Sequence, residues 1–69
     1  MRNNFAKRLY ELRQEQALTQ RELSRELGVS ERTISYWERG ERECDFDMLI
    51  KISLYFGVTL DYLLGKTDY

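Results

Sequence analysis

Apolar residues along this 69-residue chain recur at intervals of three and four, the spacing that puts them on one face of a helix. Phe5, Leu9 and Leu12 form the first such stripe, Leu23 and Leu27 the second, Ile34 and Trp37 the third. Met48, Leu49, Ile52 and Phe56 form the fourth. β-Branched residues nowhere alternate over four or more positions, so no strand is predicted. The pattern predicts an all-α chain.

Start and stop signals divide it into five helices. The first runs from Phe5 to about Glu15, with Asn3 or Asn4 as its cap. Thr19 followed by Glu22 is a capping box, and Leu18 can staple onto Leu23, so the second helix starts at Gln20 and stops at Gly28 in a left-handed turn. Ser30 caps the third, with Val29 and Ile34 as staple pair, and Gly40 stops it. Asp45 caps a fourth helix reaching Gly57, and Thr59 caps a short fifth that ends near Gly65. Cys44 reads as a small apolar residue stapled onto Leu49.

The remaining composition narrows what such a bundle can be. A chain this short buries only about 60% of the surface it exposes when unfolded, so a single domain over residues 1–69 is expected. One cysteine excludes an internal disulfide, and without histidine the usual Cys/His zinc sites cannot form. With no Gly-rich phosphate loop and no carboxylate pair placed in a pocket, an enzyme is not expected, nor a cofactor or metal. The longest apolar runs are two or three residues and the N-terminus has no hydrophobic signal region, so neither a membrane span nor secretion is expected and the location reads as cytoplasmic. The net charge of −1 argues weakly against a nucleic-acid binder, yet it is unevenly distributed. Residues 1–42 carry a net +2 and residues 43–69 a net −3.

The second and third helices are each about two turns long and meet in a tight glycine turn, the arrangement of a helix-turn-helix at about residues 20–38. Leu23, Leu27, Val29, Ile34 and Trp37 fall where two crossed helices bury side chains. Ser24 is small where they approach.

The stretch "LTQRELSRELGVSERTISYWERGER", continued by "LIKISLYFGVTLDYLLG", resembles the phage-repressor and Cro-like (XRE-type) helix-turn-helix family over about Phe5 to Gly65. The resemblance implies a compact five-helix, lambda-repressor-like domain and a transcriptional regulator, most simply a repressor, that binds double-stranded DNA with the third helix in the major groove. One departure is Cys44, where many members have a proline, which bears on the rigidity of the loop and not on the fold.

At roughly 100° per residue, with Ile34 pointing inward, Trp37 and Glu38 lie within about 60° of it, while Arg32, Tyr36 and Arg39 point nearly opposite. The N-terminal part of a recognition helix meets base edges, so Arg32 is the lead base reader, able to bond two acceptors of guanine. Tyr36, one turn on, is placed to touch a thymine methyl, a base edge or a phosphate. Thr33 and Ser35 flank the ridge, Thr33 assigned to bases and Ser35 to phosphate. Arg39 and Arg42, nearer the helix end, are assigned to phosphate. Glu31, also assigned to bases, has two readings: a carboxylate that merely complements a helix N-terminus, or an acceptor for cytosine N4. Trp37 points inward and reads as core, not as a stacking platform.

Further roles rest on the resemblance alone. The family's position matching Gln20 binds backbone phosphate. It also pairs the positions of Arg13 and Glu38, which implies an internal ion pair. It implies a homodimer on two-fold related operator half-sites, with Val58, Leu60 and Tyr62 at the interface. Tyr10, Tyr55, Tyr62 and Tyr69 otherwise read as core edge or partner surface. The acidic composition motivates the rival reading, a protein-interaction module such as an antitoxin or anti-repressor subunit that keeps the fold. The sequence ends just past the domain and reads equally as a complete protein or as the N-terminal part of a longer one.

Overall fold

Four polar side chains set where helices begin. Thr19, Ser30, Asp45 and Thr59 all have extended backbone, and each accepts a hydrogen bond from the backbone N–H three residues on, at 3.0, 3.1, 2.8 and 3.0 Å. These contacts satisfy N–H groups that have no partner inside a helix. At Thr19 the bond is returned, since Glu22 Oε1 accepts from the Thr19 N–H at 2.8 Å.

The structure, a computed structural model, describes residues 4–67. Among them are α1 (Phe5–Glu15), α2 (Gln20–Leu27), α3 (Glu31–Glu38), α4 (Phe46–Phe56) and α5 (Leu60–Leu63), and no strand. Asn3 and Tyr69 lie outside the described residues. The predicted all-α architecture and its five helices are therefore observed.

Every helix contributes to one core: Phe5, Leu9 and Leu12 from α1, Leu23 and Leu27 from α2, Ile34 and Trp37 from α3, Leu49 and Ile52 from α4, and Leu63 from α5. Trp37 meets Phe5 edge to face, with centroids 6.4 Å apart, a favoured aromatic geometry. This burial fixes α3 on α1 and turns its opposite ridge to solvent. Leu18, Val29 and Cys44 pack half-buried against the same core.

Three local features differ from the sequence reading or lie beyond it. Asn4 occupies the cap position of α1 but makes no side-chain cap bond. Its backbone is not extended, and it packs instead on the other end of the chain. Its N–H donates to the Leu64 carbonyl at 3.3 Å, and a Cβ placed on Gly65 would lie 2.6 Å from the Asn4 Cβ. Arg8 joins the same corner, its guanidinium 4.4 Å from the Tyr62 ring centroid and donating to the Thr67 carbonyl at 3.2 Å.

The end of α1 is closed by a left-handed residue that is not glycine. Ala17 has φ +55°, and the Leu18 N–H reaches the Arg13 carbonyl at 3.1 Å, a helix stop of the Schellman kind. Between α4 and α2, Lys51 Nζ donates to the Leu27 carbonyl at 2.9 Å. The ammonium thus meets a carbonyl at the C-terminal end of α2, where the helix dipole favours positive charge.

Candidate nucleic-acid interface

The tight turn between α2 and α3 leaves the start of α2 beside the outer ridge of α3. Gln20, Glu31, Arg32, Ser35, Tyr36 and Arg39 line one open, mainly polar depression there. Six of the residues assigned to nucleic acid from sequence are brought together in it. Glu31, Arg32 and Arg39 are exposed, and Ser35, Tyr36 and Gln20 are half-buried. Thr33 is half-buried and its hydroxyl is 2.8 Å from that of the cap residue Ser30, so its side chain is tied into the helix start. Arg42 is exposed and lies beyond the α3 stop.

Beneath the depression sits a polar network. Arg13 grips Glu38 with two bonds, Nε to Oε2 at 2.6 Å and Nη2 to Oε1 at 2.9 Å, and its Nη1 donates to the Leu18 carbonyl at 2.8 Å. The two side chains are only 9% and 5% exposed. Hydrogen bonding to Glu38 raises the Arg13 pKa above its ordinary value, against the opposing effect of burial. Gln20 completes the cluster, with Nε2 donating to Glu38 Oε1 at 3.0 Å. Sequence reasoning gave Gln20 a role on the outside and Glu38 one on the inside, and missed that they are bonded to each other.

On the ridge itself, Tyr36 lies near two guanidinium groups, those of Arg39 at 5.5 Å and Arg42 at 4.7 Å from its centroid. Arg39 Nε also lies 3.3 Å from Glu41 Oε2, an exposed pair of the kind that contributes little to stability. Away from the depression, Cys44 is half-buried, and burial first, then the charge of Asp45, pushes its thiol up to about 11. It is therefore a thiol and not a thiolate near neutral pH.

Val58, Leu60 and Tyr62, expected at a dimer interface, are half-buried against their own core. The most exposed aliphatic side chain nearby is Leu54, at 76%, at the end of α4, with Tyr55 beside it. Among the described residues no group of three or more His, Cys, Asp and Glu side chains could hold a metal ion. None of the described helices is long and apolar enough to cross a membrane.

Two short helices joined by a three-residue turn, residues 28–30, that opens with a left-handed Gly28, with a polar ridge on the second, define a helix-turn-helix protein. The helix-turn-helix family model matches residues 9–63, and the chain belongs to that family. Its relatives include the HTH-type transcriptional regulator ImmR of Bacillus subtilis, 40% identical over 65 residues that span 94% of this chain and 51% of ImmR. The HTH-type transcriptional activator BcrR of Enterococcus faecalis is 42% identical over 64 residues, 93% of this chain and 31% of BcrR. Among solved structures, the P22 c2 repressor protein in complex with synthetic operator 9T superposes with a TM-score of 0.84 at 32% identity, over 91% of this chain and 96% of that one. The resemblance drawn from the sequence motifs is thus borne out.

Proposed function

We infer that this chain is the sequence-specific, double-stranded-DNA-binding module of a transcriptional regulator. The observation that carries the reading is the depression in which Gln20 at the start of α2 meets Glu31, Arg32, Ser35 and Tyr36 of α3 and its C-cap residue Arg39. A helix-turn-helix docks with the start of its second helix against base edges. Arg32 and Glu31 then face bases, while Gln20, Ser35, Arg39 and Arg42 hold the backbone. Phosphate contacts set register and affinity, and base contacts set sequence. The likeness to a repressor crystallised with its operator supports this use of the fold.

Specific regulation needs two such modules on half-sites about 34 Å apart, so the DNA-bound form is a homodimer. Exposed Leu54, with Tyr55 and the edges of Val58, Leu60 and Tyr62, supplies apolar surface for that contact. Repression follows where the half-sites overlap a promoter, and the cytoplasm is the compartment in which a bacterial-type regulator meets DNA.

Selection of bound duplexes from a random pool tests the reading. A recovered consensus gives half-site, spacing and symmetry together, and affinity for it is expected to fall linearly in log salt at about −0.9 per phosphate neutralised. An empty selection and no binding to any duplex at low salt would transfer the fold to the protein-interaction reading, to which the net −3 of residues 43–69 is suited.

A further inference from the structure

Tyr36 stands on the outer ridge of α3, one turn beyond Arg32, where a base contact was one of the expected roles. Its ring already has partners. The guanidinium carbons of Arg39 and Arg42 lie 5.5 and 4.7 Å from its centroid, within the distance of about 6 Å over which a ring face attracts a cation.

The local backbone brings this about. Gly40, at φ +72°, takes a left-handed conformation that an L side chain rarely adopts, and it turns the chain back at the end of α3. The Glu41 N–H then donates to the Tyr36 carbonyl at 2.9 Å and the Gly40 N–H to the Trp37 carbonyl at 3.1 Å. This reversal returns Arg42 to the Tyr36 ring, while Arg39 is the C-cap residue of the helix itself. Two positive groups thereby gather at the C-terminal end of α3, where the helix dipole favours them, and the Glu41 carboxylate 3.3 Å from Arg39 Nε is an exposed, weakly held partner that a phosphate has to displace.

We propose that Tyr36 is a positioning residue that holds Arg39 and Arg42 as a two-cation phosphate clamp, and that it does not read a base. The proposal rests on the DNA-binding reading above. An unrestrained arginine loses rotamer freedom when it grips a phosphate, a loss worth roughly 2- to 12-fold in affinity per side chain. Restraint on the ring removes part of that loss before DNA arrives. Base reading is then confined to the first turn of α3, and Tyr36 raises affinity for every duplex alike.

The test compares wild-type protein with Y36F and Y36L on a selected duplex and on an unrelated one, between about 50 and 200 mM salt. The clamp predicts that Y36L weakens binding to both duplexes by the same factor, roughly tenfold, with the salt slope unchanged because both arginines remain. Y36F, which keeps the ring face, stays within about twofold. R42A costs less in the Y36L background than in wild type, because the two residues act together. In the free protein, ring-current shifts of the Arg39 and Arg42 side-chain NMR signals are present in wild type and Y36F and absent in Y36L.

A changed base preference at one position in Y36L, or a loss in Y36F equal to that in Y36L, makes Tyr36 a direct contact and overturns the proposal. So do unshifted arginine signals in wild type. If wild type binds and Y36L binds equally well, the clamp alone has failed. If wild type binds no duplex, the DNA-binding reading has failed and the clamp with it.

Discussion

The amide of Gln20 and the carboxylate of Glu38 are joined by a 3.0 Å hydrogen bond, and the accepting oxygen is the same one that takes Arg13 Nη2 at 2.9 Å. A residue of the depression proposed to meet DNA is therefore anchored on a buried ion pair. The bond points Nε2 toward Glu38 and leaves the Gln20 carbonyl oxygen and one N–H for other partners. The ion pair thus has a structural role and a positioning one, and the two can be separated.

Removing one partner of a buried pair leaves an uncompensated charge and costs about 3–5 kcal/mol, whereas replacing both with apolar residues is often neutral. Arg13→Ala is expected to lower the melting temperature by roughly 15 °C or more, at about 4–8 °C per kcal/mol for a domain of this size. Arg13→Met with Glu38→Leu is expected to recover most of that loss. The double variant still lacks the acceptor for Gln20, so its affinity falls uniformly across duplexes while its stability returns. Calorimetry and binding on the same samples check both, and a double variant as unstable as Arg13→Ala contradicts the account.

Ala17 offers a test in the opposite direction. A left-handed conformation costs an L residue roughly 1–2 kcal/mol, and glycine avoids this at an unfolded-state entropy penalty of about 0.4–1 kcal/mol. Ala17→Gly should therefore stabilise the fold by roughly 0.5–1 kcal/mol, visible as a rise of a few degrees in the melting temperature. A decrease would show that the Ala17 side chain contributes packing that outweighs its backbone strain.

Much of the fold was legible because its boundaries are local. Thr19, Ser30, Asp45 and Thr59 each act on an amide three residues away, and Gly28, Gly40 and Gly57 need only their own backbone to stop a helix. What escaped depends on residues distant in sequence. Asn4 fails as a side-chain cap because the far end of the chain packs on it, and Lys51 reaches Leu27 across 24 positions. Ala17 carries no signal of its left-handed turn, since nothing in its side chain favours one. The approach of Arg42 to Tyr36 was within reach of sequence reasoning: a left-handed Gly40 returns the next residues to the preceding turn. The ridge could be sorted by angle, but angle alone does not tell a base reader from a residue that holds its neighbours.

The capping box should make α2 sensitive to acid. Glu22 accepts from the Thr19 N–H, and that hydrogen bond lowers its pKa below the usual carboxylate range. A depressed folded-state pKa means stability that is present above the unfolded value and lost as pH falls through the folded one. Wild type should therefore be more stable than Glu22→Gln at neutral pH. The difference should shrink as pH falls through the carboxylate range and vanish below it. Melting curves of the two proteins over that range provide the check, and a gap that widens on acidification contradicts the assignment.

The first turn of α3 decides whether the proposed reader is correctly placed. Arg32 is exposed on the outward ridge without a described ion pair, so a bidentate bond to guanine carries no cost of breaking one. Arg32→Ala should lose about 1–3 kcal/mol of discrimination at one base pair of each half-site and leave the other positions unchanged. Glu31, its neighbour in the same depression, repels phosphate and yet starts the helix. If it serves only the helix dipole, Glu31→Gln raises affinity for all duplexes alike, because one repulsive charge is gone. If it accepts from cytosine N4, the same variant relaxes a single position, and the carboxylate is a device that rejects wrong sequences. Repeating the random-pool selection with each variant distinguishes these outcomes position by position, and an Arg32→Ala consensus identical to that of wild type would remove Arg32 from the role of base reader.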